Sequence, residues 1–86
     1  MTRYPQPIFI KMPNQAGELI RDRRKELKLT QAQVARFLGL SQNRYSMLAQ
    51  NIGEMSLERF ITLANYLQFD LTMRDREETP DWIVQD

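Results

Sequence analysis

Residues 30–48 read TQAQVARFLGLSQNRYSML, and this stretch constrains the chain more than any other. Two short helical patterns stand on either side of a tight turn. The Thr30 hydroxyl can accept a free first-turn N–H, so it opens the first of them. Val34, Ala35 and Leu38 make that helix's buried side. Gly39 follows as the residue that leaves the helix in a left-handed conformation, where no Cβ clashes. Leu40 anchors the turn and Ser41 caps a second helix over about 42–49. Tyr45 and Leu48 face inward from it; Gln42, Asn43, Ser46 and Met47 face out. Two helices can cross closely here because Ala35 is small. Locked together by Val34, Leu40, Tyr45 and Leu48, the pair leaves the start of its second helix free to enter a major groove.

The flanking sequence supplies a body for this hairpin. Asn14 predicts a helix beginning at Gln15, with Ala16, Ile20 and Leu27 near one face and Leu19 and Arg23 alongside. Arg21, Arg24, Lys25 and Lys28 occupy the other face, and Leu29 plugs the core. Ile52–Met55 reads as a loop. Ser56 caps a last helix with Leu57, Phe60, Ile61, Ala64 and Leu67 as its apolar stripe. Then FDLTMRD alternates, with Phe69, Leu71 and Met73 on one side. A lone strand cannot satisfy its own backbone groups, so it needs the 8–12 segment or the same strand of a second copy. The expected fold is an all-α core followed by a C-terminal β-strand with one of these two partners. Its divisions are an N-terminal arm or short strand at 1–13, a helical domain that holds the hairpin at 14–67, the strand at 68–74 and an acidic tail at 75–86. A chain of 86 residues is one small domain. It buries only about 60% of its unfolded surface, so a second copy would help it.

Charge is uneven. Net charge is +1, but residues 1–50 carry +6 and residues 51–86 carry −5. A basic front and an acidic back suggest two partners of different character. Cysteine and histidine are both absent, which removes disulfides, most zinc sites and most nucleophile–base arrangements. Asp22 and Glu26 form a helical carboxylate pair, and Glu77, Glu78 and Asp81 a second cluster. Both lie beside basic residues or in the tail, with no general base of near-neutral pKa, so the chain is not expected to be an enzyme. No cofactor and no metal are expected. No apolar run approaches the ~20 residues that span a bilayer. Pro5, Pro7 and Pro13 interrupt the one apolar stretch near the N-terminus, so a soluble cytoplasmic protein without membrane contact is expected.

The stretch IRDRRKELKLTQAQVARFLGLSQNRYSML resembles the phage-repressor-type helix-turn-helix family, also called Cro/C1-type or XRE-like. Ile20, Arg21, Arg24, Thr30, Gln31, Ala35, Gly39, Ser41 and Gln42 carry the likeness, which covers about residues 14–67. The resemblance implies a bacterial transcriptional regulator that binds double-stranded operator DNA as a homodimer. Carried over by position, Gln42, Asn43 and Met47 read base edges, with Ser46 in support. Arg21 and Gln31 hold phosphates, with Arg24, Ser41 and Arg44 as further contacts. A side-chain amide both donates and accepts, as adenine's major-groove edge requires. The sequence departs from the family in four places. Ala49 and Gln50 stand where Glu-Asn is common, Tyr45 replaces a small aliphatic residue, and Lys28 sits where glycine is common. Met47 offers no strong hydrogen bond.

A narrower likeness concerns YLQFDLTMRD after the last helix, which is similar to the HipB-type antitoxins of bacterial toxin–antitoxin modules. That resemblance implies strand pairing across a two-fold axis by Phe69, Leu71 and Met73. It also implies repression of the chain's own operon and a HipA-like serine/threonine kinase toxin as partner, gripped through Trp82 and Ile83. Two other readings use the same fold: a stand-alone regulator without a toxin, and an adaptor that binds only protein. The basic front half and the Gln42–Asn43 pair argue against the adaptor.

Overall fold

A computed structural model describes residues 4–77 and 81–83. It is all-α, with four helices: α1 (Pro13–Glu26), α2 (Gln31–Leu38), α3 (Gln42–Gln50) and α4 (Leu57–Tyr66), and a 3₁₀ turn at Ile52–Glu54 between the last two. Glu78 of the second carboxylate cluster lies outside the described residues, as do the ends of the arm and tail.

Three hydroxyl caps form where the sequence predicts them. The Thr30 hydroxyl accepts from the Gln33 amide at 3.1 Å, while the Gln33 side chain accepts from the Thr30 amide at 2.7 Å. Ser41 and Ser56 each accept one first-turn N–H, from Arg44 and Arg59, at 3.1 Å. The start of α1 departs from expectation. Pro13, not Gln15, is its first residue, with Met12 before it. Proline suits that position because its missing N–H would have no helical partner there. The Gln15 side chain then reaches back to accept from the Lys11 and Met12 amides at 2.6 and 2.8 Å.

The C-terminal ends of α1, α2 and α4 share one device. Each closes with paired reverse hydrogen bonds around a left-handed residue, the Schellman pattern. The residues are Lys28, Gly39 and Gln68, with φ of 58°, 72° and 66°. The bonds run from Lys28 to Lys25 and Leu29 to Arg24, from Gly39 to Arg36 and Leu40 to Ala35, and from Gln68 to Asn65 and Phe69 to Ala64. This explains the departure at Lys28: the position is left-handed, so glycine suits it.

Val34, Tyr45, Leu63 and Leu67 are the largest fully buried side chains, joined by Ile20, Ala35, Leu48, Ile52 and Met55. Arg23 lies among them, only 8% exposed. Its Nη1 donates to the carbonyls of Leu67 and Gln68 at 2.9 and 3.1 Å, and its guanidinium lies 4.0 Å from the Phe69 ring centre. Helix α4 is turned relative to the predicted stripe. Phe60, Leu63, Ala64 and Leu67 face inward, while Leu57 and Ile61 are exposed.

The expected C-terminal strand does not form, nor does its pairing across a dimer. No β-strand is present among the described residues. The left-handed Gln68 and the Arg23 guanidinium draw Phe69 back onto the body, where it is half-buried. Leu71 and Met73 follow as exposed, unpaired chain, so the three residues do not share one packed face. Residues 8–10 are likewise exposed and outside any regular element. Side chains join the two segments: the Tyr4 and Phe69 rings are 6.0 Å apart, and the Arg74 guanidinium lies 4.9 Å from the Phe9 ring. No backbone ladder joins them among the described residues.

Two substitutions test the ends of the helices by chemical denaturation. Arg23→Ala should lower stability by about 3 kcal/mol, because one buried and one part-buried carbonyl and Glu26 lose a charged partner. Lys28→Gly should raise it by about 0.5 kcal/mol, since relief of the left-handed strain exceeds the entropy that glycine adds to the unfolded chain. A drop for Lys28→Gly would show that the lysine side chain contributes more than its backbone costs.

Candidate nucleic-acid interface

Helix α3 is set by its two sides. Tyr45 and Leu48 are buried against α2 and the body, which turns the opposite side outward. Asn43, Met47 and Gln50 lie along that outer side at helical spacing and are all exposed, Met47 at 60%. Gln42 and Arg44 flank it in the first turn and are exposed as well, while Ser46 is half-buried. Gln50 was missed in the sequence as a groove-facing candidate, although its spacing of seven from Asn43 was the available signal. The Ser41 hydroxyl accepts one N–H as the helix cap, and its proton stays free to donate to a ligand.

The second set of candidates gathers around a groove of about 590 Å³ between α1, the start of α2 and the end of α3. Arg21, Arg24 and Gln31 line it, with Tyr45, Ala49 and Gln50. Arg44 and Ser41 are not among the lining residues and stand at the start of α3. The Arg21 side chain is more than half exposed, 3.9 Å from the Asp22 carboxylate, so that pair competes little with a stronger anion. Arg24 is half-buried and its Nη1 donates to the Leu29 carbonyl at 2.8 Å. It is therefore partly a structural residue that braces the turn between α1 and α2. Its neighbour Arg23 plays only an internal part, and the Arg23 Nε meets the Glu26 carboxylate at 3.7 Å. The Asp22 and Glu26 carboxylates thus face arginines.

Burial pushes the Tyr45 hydroxyl above its ordinary pKa of 10.0, and the Arg24 charge opposes that rise without cancelling it. The hydroxyl keeps its proton at neutral pH and can only donate or accept as a neutral group. In the tail, Trp82 is 81% exposed and Met73 fully exposed, with Ile83 also open. None of them packs into the helical core.

No helix among the described residues is long and apolar enough to cross a membrane. A model of the helix-turn-helix family matches residues 20–73. No curated protein and no solved structure matches the chain.

The raised Tyr45 pKa predicts a pH effect on stability. The folded state holds this proton more tightly than the unfolded state, so the contribution is complete below pH 10 and is lost as pH rises through the folded value. Thermal melts from pH 8 to 11.5 should show a steeper alkaline loss for the native chain than for Tyr45→Phe. Parallel curves would mean that the hydroxyl is not differentially protonated.

Proposed function

Because the chain belongs to the helix-turn-helix family, a DNA-binding regulatory fold rather than a catalytic one, we propose that it is a stand-alone XRE-like transcriptional regulator. It binds operator DNA as a homodimer, in the cytoplasm of a bacterium. The observation that carries this reading is the outer side of α3, where Gln42, Asn43 and Gln50 offer amides around an exposed Met47. Amides at the start of a second helix suit the major-groove edge of adenine. Ser46 and Arg44 are supporting contacts to base and phosphate, and Ser41 donates to phosphate. Arg21 and Gln31 hold the backbone on either side of the groove they line. Two copies would place their α3 helices about 34 Å apart in successive major grooves. The exposed apolar residues outside α3 support association of two copies by side-chain packing, without strand pairing.

One observation favours a second reading. Trp82 and Ile83 lie open in an acidic segment beyond the helical body. Exposed aromatics of this kind are frequent anchors in protein interfaces. On this reading the chain is a HipB-type antitoxin and autorepressor of its operon, and the tail docks a HipA-like kinase toxin. Calorimetric titration of such a kinase into the full chain and into a chain ending at Arg74 separates the two readings. Heat with the full chain alone supports the antitoxin reading; no heat with either supports the stand-alone regulator.

Operator selection from a random duplex library, followed by anisotropy titrations, tests the main reading. Gln42→Ala should cost roughly 1–3 kcal/mol on the selected operator and much less on random duplex. Arg21→Ala should weaken both equally and reduce the salt slope by about one. Failure of the native chain to enrich any duplex would overturn the function. Sedimentation as a monomer on the bound operator would overturn the dimer.

A further inference from the structure

Tyr45 is 1% exposed, yet it lines the groove between α1, α2 and α3. Its hydroxyl takes no hydrogen bond from the described residues, and it is not among the sealed polar atoms without a partner. The small part of Tyr45 that stays open therefore includes the hydroxyl, and the groove is where a partner can reach it. Phenylalanine would fill the same space without a polar atom to desolvate. Arg24 stands beside it, close enough for its charge to act on the tyrosine. Arg24 makes no ion pair among the described residues, and only one of its five N–H groups is used, on the Leu29 carbonyl. From α3, Ala49 brings only a methyl group to the groove. Glu18 is its one acidic lining residue and is exposed, against two arginines. Gln31 opens α2, where the Gln31 and Ala32 amides have no helical partner.

We propose that Tyr45 is a phosphate ligand: its hydroxyl and the Arg24 guanidinium bind the oxygens of a phosphate group seated in this groove, with Arg21 and Gln31 closing on it from the rim. The inference rests on the DNA-binding reading where the phosphate belongs to a duplex backbone, and stands apart from it where the phosphate is free. A backbone phosphodiester only accepts and a free phosphate chiefly accepts, which matches a site built from a hydroxyl, two guanidiniums and the first amides of a helix. The retained Tyr45 proton makes the hydroxyl a donor throughout the neutral range. Because that donor is uncharged, it adds affinity without releasing a counterion. This separates its signature from that of Arg21.

The experiment compares the native chain with Tyr45→Phe in two arms. In the first, anisotropy titrations use selected operator and random duplex across a series of salt concentrations. The variant should bind both about tenfold more weakly, with an unchanged salt slope. In the second, inorganic phosphate is titrated against chloride of equal ionic strength while amide and arginine Nε resonances are followed by NMR. Shifts at Arg24, Gln31 and Ala32 that vanish in Tyr45→Phe assign the seat to free phosphate. A duplex effect without such shifts assigns it to the DNA backbone. Equal duplex affinities together with identical phosphate titrations overturn the proposal. A native chain that binds no duplex overturns the proposed function alone, and the phosphate arm still decides the seat. Should Tyr45→Phe lose its fold, the native chain alone decides: the Arg24 Nε resonance is followed by NMR during titration with duplex and with inorganic phosphate, and a resonance unmoved by both would overturn the seat.

Discussion

Arg23 holds a permanent positive charge among apolar side chains, at 8% exposure. Such a group is tolerable only where fixed dipoles and an opposite charge replace its water. Here the replacements are the carbonyls of Leu67 and Gln68, the Glu26 carboxylate and the face of Phe69. The carbonyls lie just past the last residue of α4, so the arginine joins the last turn of α1 to the end of the bundle, 44 residues on. It also stabilises a left-handed Gln68, a conformation a glutamine adopts at some cost. The adjacent Arg24 does the same for α1's own end by bracing Leu29 after the left-handed Lys28. Two neighbouring arginines therefore fix two chain reversals. With both reversals fixed, α2 and α3 have a rigid frame to pack on, through Val34, Ala35, Tyr45 and Leu48.

The helical core was legible because its signals are local. Thr30, Ser41 and Ser56 each bond three residues ahead, and Gly39 solves a steric problem at its own φ. Neither needs knowledge of the tertiary fold. The inward side of α3 was legible for the same reason, since Tyr45 and Leu48, three apart, share one side of a short helix. What escaped depends on distant contacts. Arg23 looks like any surface arginine until α4's end is placed beside it. The start of α1 is an exception, since its signals are local: a proline at the first helical position and a Gln15 side chain that accepts from the Lys11 and Met12 amides. The alternation of Phe69, Leu71 and Met73 is a fair strand pattern, but alternation specifies a strand only where a partner offers free backbone groups. Phe69 finds a cation instead. Periodicity also placed Leu57 and Ile61 on the inner side of α4, whereas Leu63, absent from that stripe, is fully buried.

The candidate interface divides along the same line. Residues that would read bases sit on one short helix, so the exposure of Gln42, Asn43 and Met47 follows from the position of Tyr45 and Leu48 alone. Residues around the groove come from three helices, and only folding brings Arg21, Arg24, Gln31 and Tyr45 together. Spacing within one helix could place Arg21 and Arg24 three apart. It could not show that Arg24 gives one N–H to Leu29 while Arg21 is open.

Tyr45 belongs to both halves of this division. Its ring is part of the packing that sets the rotation of α3, and so decides which residues of that helix meet a partner. Its hydroxyl lies at the groove, beside a guanidinium whose other contact is the turn that opens α2. A small aliphatic residue at this position would supply the packing alone. A tyrosine couples the packing of α3 to whatever occupies the groove, because the ring cannot move without moving the hydroxyl. Filling the groove from outside would then restrain the rotation of the helix that faces the bases. Phosphate binding and base reading, usually separable by residue, would share one side chain.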